Sequence, residues 1–144
     1  MNREQITKKT ETAIIKQLKE RGYATCIDCL ISIGWLKHED VLKWRRGELD
    51  CIERACCTST AHLNTFLKSY HQFARRYEYP LSWTAYIRKK TRQSLRFTKN
   101  NDKFAEKRYA MHIVQKQANK VPVKKAILKK NQRSEKFLLI LFCL

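Results

Sequence analysis

The feature that most limits the fold of this chain is a change of hydrophobic period near residue 80. Cys56, Leu63, Phe66, Leu67, Tyr70, Phe73 and Ala74 recur at helical spacing, and the run can continue to about Tyr77 before Pro80 closes it. Asp50 and Glu53 precede the run with the spacing of a capping box. Beyond Pro80 the period becomes two. Trp83, Ala85 and Ile87 share one face, and Thr84, Tyr86 and Arg88 the other. After the link RKKTRQ, Leu95 and Phe97 alternate with Ser94, Arg96 and Thr98. Two such runs predict a two-stranded antiparallel β-hairpin over 83–99. Its link holds no Gly, Asn or Asp, so a turn longer than two residues is expected.

Four more helical stretches surround these runs. Ala13, Ile14 and Leu18 mark the first, which Gly22 is placed to end. Tyr23 to Ile33 forms a short apolar helix, and Gly34, Trp35 and Leu36 turn the chain. His38, Glu39 and Asp40 open a third helix, their acids suiting its positive end, and Gly47 ends it. Asp102 can cap a last helix holding Phe104, Ala105, Tyr109, Met111 and Ile113. The expected fold is therefore α+β and mostly helical, with about five helices and one hairpin. Past Val114 the apolar period is lost and lysines accumulate, so a domain over 1–115 and a flexible basic tail over 116–144 are expected. Three Gly and two Pro among 144 residues exclude a collagen-like or linker-rich chain, and 43% hydrophobic residues are enough for a core.

Charge carries the functional reading. The chain has 31 Lys+Arg against 13 Asp+Glu, a formal net charge of +18. From Trp83 to Asn100 there are Arg88, Lys89, Lys90, Arg92, Arg96 and Lys99, and no acid. Such a density repels itself and calls for a polyanion, of which nucleic acid is the usual one and an anionic membrane surface the rival. The N-terminus has no apolar run of the kind a secretory signal needs, and no stretch reaches the length of a membrane span. The apolar run Phe137 to Leu144 is also too short to span. It reads as a segment packing on the domain or an accidental tail, with an interfacial anchor as the alternative. Six cysteines without an export signal read as cytosolic thiols.

The basic hairpin is the strongest candidate site. Arg88, Lys89, Lys90 and Arg92 at its tip can reach phosphates, and Tyr86 on one face can stack on an unpaired base. The plainer reading is an edge hairpin kept from aggregating by its charges. The two helices around Gly34 have the outline of a helix-turn-helix, which with the hairpin would make a winged-helix layout. The tight form wants apolar residues six and nine positions after the glycine; here those are Asp40 and Lys43, with Val41 and Trp44 one residue later. Two ordinary packed helices fit better, leaving Arg45 and Arg46 as secondary phosphate contacts. Cys26-x-x-Cys29 falls in an apolar helical pattern, where cysteine acts as a small hydrophobe, and no second pair completes a zinc site. His38, His62, His71 and His112 are dispersed, and no acid is followed two places later by lysine as in many nucleases.

The segments GYATCIDCLISIGWL, DVLKWRRGELDCIER and LSWTAYIRKKTRQSLRFTKNNDKFAEKRYAMH resemble a small bacterial protein family of uncharacterised function, from about Tyr23 to Ile113. The resemblance implies a bacterial, cytoplasmic setting and carries no activity, so it assigns no site residue. From the residues themselves the expected function is non-enzymatic nucleic-acid binding, with DNA as the expected ligand and no cofactor or metal. The expected contacts are Arg88, Lys89, Lys90, Arg92, Arg96 and Lys99, with Tyr86, Arg45 and Arg46. The alternative is a protein–protein adaptor using Trp35, Trp44 or the terminal apolar run. An enzyme acting on nucleic acid would need a cleft that brings His112 or His71 beside Glu53 or Asp28.

Overall fold

Five helices and three short strands make up residues 1–115, which are those the computed structural model describes. In chain order they are α1 (Arg3–Arg21), β1 (Tyr23–Ala24), α2 (Cys26–Ile33), α3 (His38–Arg45), α4 (Thr60–Arg76), β2 (Leu81–Trp83), α5 (Lys103–Tyr109) and β3 (Met111–Val114). The basic stretch 116–144, with its apolar end Phe137–Leu144, lies outside the described residues. Among the described residues no helix is long and apolar enough to cross a membrane.

Local chemistry sets most helix ends. Asn2 and Gln5 form a reciprocal capping box at the start of α1, with bonds of 2.8 and 2.9 Å. Thr25 caps α2 by accepting from the Asp28 amide at 3.0 Å, and Gly34, at φ +94°, ends it in the left-handed region that favours glycine. Asp102 caps α5.

The first core lies between α1 and α4, which pack on each other more extensively than any other two elements. Ile6, Ala13, Ile14 and Leu18 of α1 and Leu63, Phe66, Tyr70 and Phe73 of α4 are all buried. Burying each large apolar side chain stabilises the fold by roughly 1.5–3 kcal/mol relative to its exposed state. The Tyr70 hydroxyl reaches past this core and shares its one proton between the Met111 carbonyl at 2.8 Å and the Ala24 carbonyl at 3.0 Å, pinning α4 to the sheet.

The sheet is antiparallel, ordered β1-β3-β2. Its middle strand corrects the expected last helix. Met111 and Ile113 do not continue α5; Ala110 ends that helix, and residues 111–114 pair with Tyr23–Ala24 on one side and Leu81–Trp83 on the other. The start of α4 is also corrected. Ser59, not Asp50, is its cap, and Cys56 and Cys57 precede the helix. Glu53 serves other donors, described below.

The predicted hairpin over 83–99 is corrected as well. Trp83 is a strand residue, but its partner is Met111. Between residues 84 and 100 there is one isolated antiparallel bridge, Ile87 to Ser94, supported by Leu95 N–H donating to the Tyr86 carbonyl at 2.8 Å. The rest of the expected second strand has no ladder because its amides are taken by carboxylates. Glu106 accepts from the Phe97 N–H at 2.9 Å and from the Thr98 N–H at 2.6 Å, and Glu53 accepts from the Lys99 N–H at 3.0 Å. An aromatic cluster packs beneath. Trp44, Tyr86 and Phe97 lie 5.1–5.7 Å apart by ring centroid, Tyr109 stacks on Phe97 at 5.4 Å, and the Trp44 indole N–H donates to the Arg96 carbonyl at 2.8 Å.

Candidate nucleic-acid interface

The basic segment forms a tight loop over 88–93. The Arg88 N–H donates to the Gln93 carbonyl at 2.9 Å, the Arg92 N–H donates to the Arg88 carbonyl at 2.8 Å, and Arg92 adopts φ +61°. Lys89, Lys90 and Arg92 are exposed at the tip and have no ion pair or side-chain hydrogen bond among the described residues.

The foot of the loop meets the end of α3. Gly47, at φ +81°, lies so close to the Arg88 guanidinium that a Cβ there would approach its Nη1 to 2.6 Å. The positive φ is what calls for glycine; the guanidinium is the far end of a flexible side chain and can move aside. Arg46 donates to Glu48 through Nε at 2.5 Å. That bond, with the nearby charges of Lys43 and Arg88, holds the Glu48 carboxyl below the usual carboxylate range. Arg46 and Arg88 are thus brought together around Glu48, and Lys43, which the sequence reading left out, joins them; Arg45 lies instead over the Tyr86 ring.

Other expected contacts are occupied. Arg96 is half-buried, donates through Nε to the Thr98 carbonyl at 2.9 Å and pairs with Asp50 at 3.5 Å. Lys99 keeps an exposed side chain above the Glu53 anchor. Tyr86 is no stacking platform. It is 8% exposed, packed on Trp44 and Phe97, and its hydroxyl lies 2.7 Å from Nε2 of His112. Trp35 and Trp44 are buried too, Trp35 stacked on His62, so neither offers the aromatic surface an adaptor would use. Among the described residues the exposed aromatic side chains are Tyr23, Trp83 and Phe104, at 40%, 58% and 70%.

Beside the loop foot is a cavity of about 340 Å³ that the sequence reading did not find. Arg21 of α1, Asp28 of α2, His38 and Arg45 of α3, His112 of β3 and Tyr86 face it. Arg21 donates through Nη2 to Asp28 at 2.6 Å and to Gln17 at 2.8 Å, and through Nε to the Tyr23 carbonyl at 3.1 Å. Its guanidinium lies 4.2 Å from the Tyr23 ring centre, and that of Arg45 lies 5.3 Å from the Tyr86 ring centre. Burial lowers the pKa of His112, with Arg21 and Arg45 adding to the effect and Asp28 opposing it. Asp28 and His112 therefore do share a cavity, as an enzyme would need. Each is already engaged: Nδ1 of His112 is bonded to Thr84 at 3.2 Å and Nε2 to Tyr86, while Asp28 is held by Arg21 and Thr25. His71 lies elsewhere, bonded to the Arg108 carbonyl.

The cysteines of Cys26-x-x-Cys29 are fully buried. Burial pushes the Cys29 thiol up to about 12 and the Cys26 thiol well above its ordinary value. Both stay protonated near neutral pH, which suits packing and not thiolate chemistry. Among the described residues no group of three or more His, Cys, Asp or Glu is placed to hold a metal ion. No protein-family model, curated protein or solved structure matches the chain, and the functional reading rests on this geometry.

Proposed function

We propose that this protein binds nucleic acid, DNA above all, without catalysing a reaction on it, and that it holds the phosphate backbone with the 88–93 loop and the end of α3. The observation that carries the reading is where the nearby acids go. Glu106 and Glu53 are committed to backbone N–H groups, Asp50 to Arg54 and Arg96, and Glu48 to Arg46. Lys89, Lys90 and Arg92 face solvent with no such partner among the described residues, as side chains that exchange counterions for phosphates do. The full order, α1-β1-α2-α3-α4-β2-loop-α5-β3, places α4 and α5 where a winged helix has none, so the reading is supported by the loop's position against the end of α3 and not by that layout.

Fluorescence anisotropy with the full chain against duplex DNA, single strands and RNA over a salt series tests this. The expected result is preferred binding of DNA, with a slope of log K against log salt of about −3 to −5. Changing Lys89→Glu, Lys90→Glu and Arg92→Glu together is expected to abolish binding while the circular dichroism spectrum stays the same. Undiminished binding by that folded triple variant would remove the loop from the function.

A further inference from the structure

We propose that the cavity framed by α2, α3 and the sheet holds the phosphate-bearing end nucleotide of a nucleic-acid strand, with Arg21 and Arg45 receiving a terminal phosphate monoester. The proposal rests on the nucleic-acid reading above and assigns that ligand a second, more selective contact.

Three observations meet here. The first is unspent cationic capacity. Arg45 makes no hydrogen bond or ion pair among the described residues, although its guanidinium is placed over the Tyr86 ring. Arg21 is fixed by Gln17, Asp28 and the Tyr23 carbonyl through Nε and Nη2, so Nη1 remains to donate. Two guanidinium groups outnumber the single facing carboxylate, Asp28. A terminal phosphate monoester carries about −1.5 to −2 charge near neutral pH, against −1 for an internal diester, so this site favours an end over the middle of a strand.

The second is size and lining. A volume of about 340 Å³ sits at the small end of ligand pockets, which run to roughly 300–1,000 Å³. It suits one nucleotide and excludes a duplex. Ile27, Ile31, Val41 and Leu42 supply apolar wall for a base or sugar, and Tyr23, 40% exposed, supplies a ring.

The third is continuity with the loop. Thr84, Ala85 and Tyr86 line the cavity and lead directly into residues 88–93. Arg45 lines it and precedes Arg46 and Gly47, where the Arg88 guanidinium rests. A strand held by the loop therefore has the cavity within reach of its end.

The test uses the full chain and internally labelled single-stranded 12-mers carrying a 5′-phosphate, a 3′-phosphate or hydroxyls at both ends. One phosphorylated end is expected to bind roughly tenfold or more tightly than the hydroxyl-ended strand. Which end it is identifies the polarity of the bound strand. Arg45→Gln is expected to bring the ratio of the two affinities to about one. Equal affinity of the wild-type chain for all three strands overturns the cavity proposal and leaves the loop reading standing. Failure to bind any of the three strands overturns the cavity proposal, and the loop reading then stands or falls on duplex DNA. Titration with a 5′- or 3′-phosphorylated dinucleotide, followed by NMR, is expected to shift the His112 ring protons and the amides of 41–45 and 84–86. Absence of those shifts overturns the cavity whatever the loop does.

Discussion

The two halves of the domain are held together by different means. In one, α1 and α4 bury interlocking apolar stripes, and the backbone amides past each capped first turn are satisfied within the helix. In the other, residues 84–102 have little regular structure. The amides of Phe97, Thr98 and Lys99 are collected by two carboxylates, Glu106 and Glu53, over a small aromatic floor. The first arrangement tolerates local change because its energy is spread over many contacts. The second concentrates its energy in a few charge-assisted bonds, each stronger than a neutral one and each without a substitute. The loop proposed to touch nucleic acid is mounted on the second kind of support.

The contrast can be broken by mutation. Phe66→Ala in the α4 stripe is expected to lower global stability by about 3–5 kcal/mol, with denaturant unfolding still a single transition. Glu106→Gln is expected to remove about 2 kcal/mol, felt locally. Amide exchange at Phe97 and Thr98 should speed up while amides in α1 and α4 remain protected. Equal loss of protection in both halves would mean that they unfold as one unit and that the distinction fails.

A smaller effect comes from the histidines, one in each half. Burial holds the pKa of His71 below its ordinary 6.5, with Arg108 and Arg75 nearby, and does the same to His112 beside Arg21, Arg45 and Asp28. Below pH 6.5 the unfolded chain takes up protons that the folded one refuses until its lower pKa is reached. The stability these neutral rings contribute is complete above pH 6.5 and is lost as pH falls through the folded values. Glu11, whose carboxyl burial raises, acts in the opposite sense above pH 4.5, so a fall in stability from pH 7.5 to 5.5 carries the sign of the histidines. The melting temperature is expected to drop across that range, and less steeply in His112→Gln. A flat or rising profile in the wild-type chain would contradict this.

The helix ends at Gly22 and Gly34, the Asp102 cap and the stop before Pro80 are all readable from neighbours within a few residues. Of the alternating run after Pro80 only Trp83 lies in a strand, and residues 84–100 keep one isolated bridge. The alternation could not name the partner, because Trp83 pairs with Met111 and not with the nearer run ending at Thr98. Strand β3 was hidden for the same reason: its apolar residues follow α5 in helical phase, and only Tyr23–Ala24 and Leu81–Trp83 make it a strand. The site divides in the same way. The loop cations are contiguous and stood out at once, whereas Arg21, Asp28, His38, Arg45 and His112 are scattered along the chain and meet only after folding.

That long-range closure also orders events during synthesis. The strand in the middle of the sheet is the last of the described elements to leave the ribosome. Until it emerges, the Tyr70 hydroxyl lacks the Met111 carbonyl, Tyr86 lacks His112, and β1 and β2 have nothing between them. A nascent chain can assemble α1 through α4 from contacts already made, but β1 must wait some ninety residues for its neighbour, and pairings so distant form slowly. Both the cavity and the mounting of the basic loop therefore arrive at the end of folding, so the growing chain shows its positive charge well before it has a shaped place to use it.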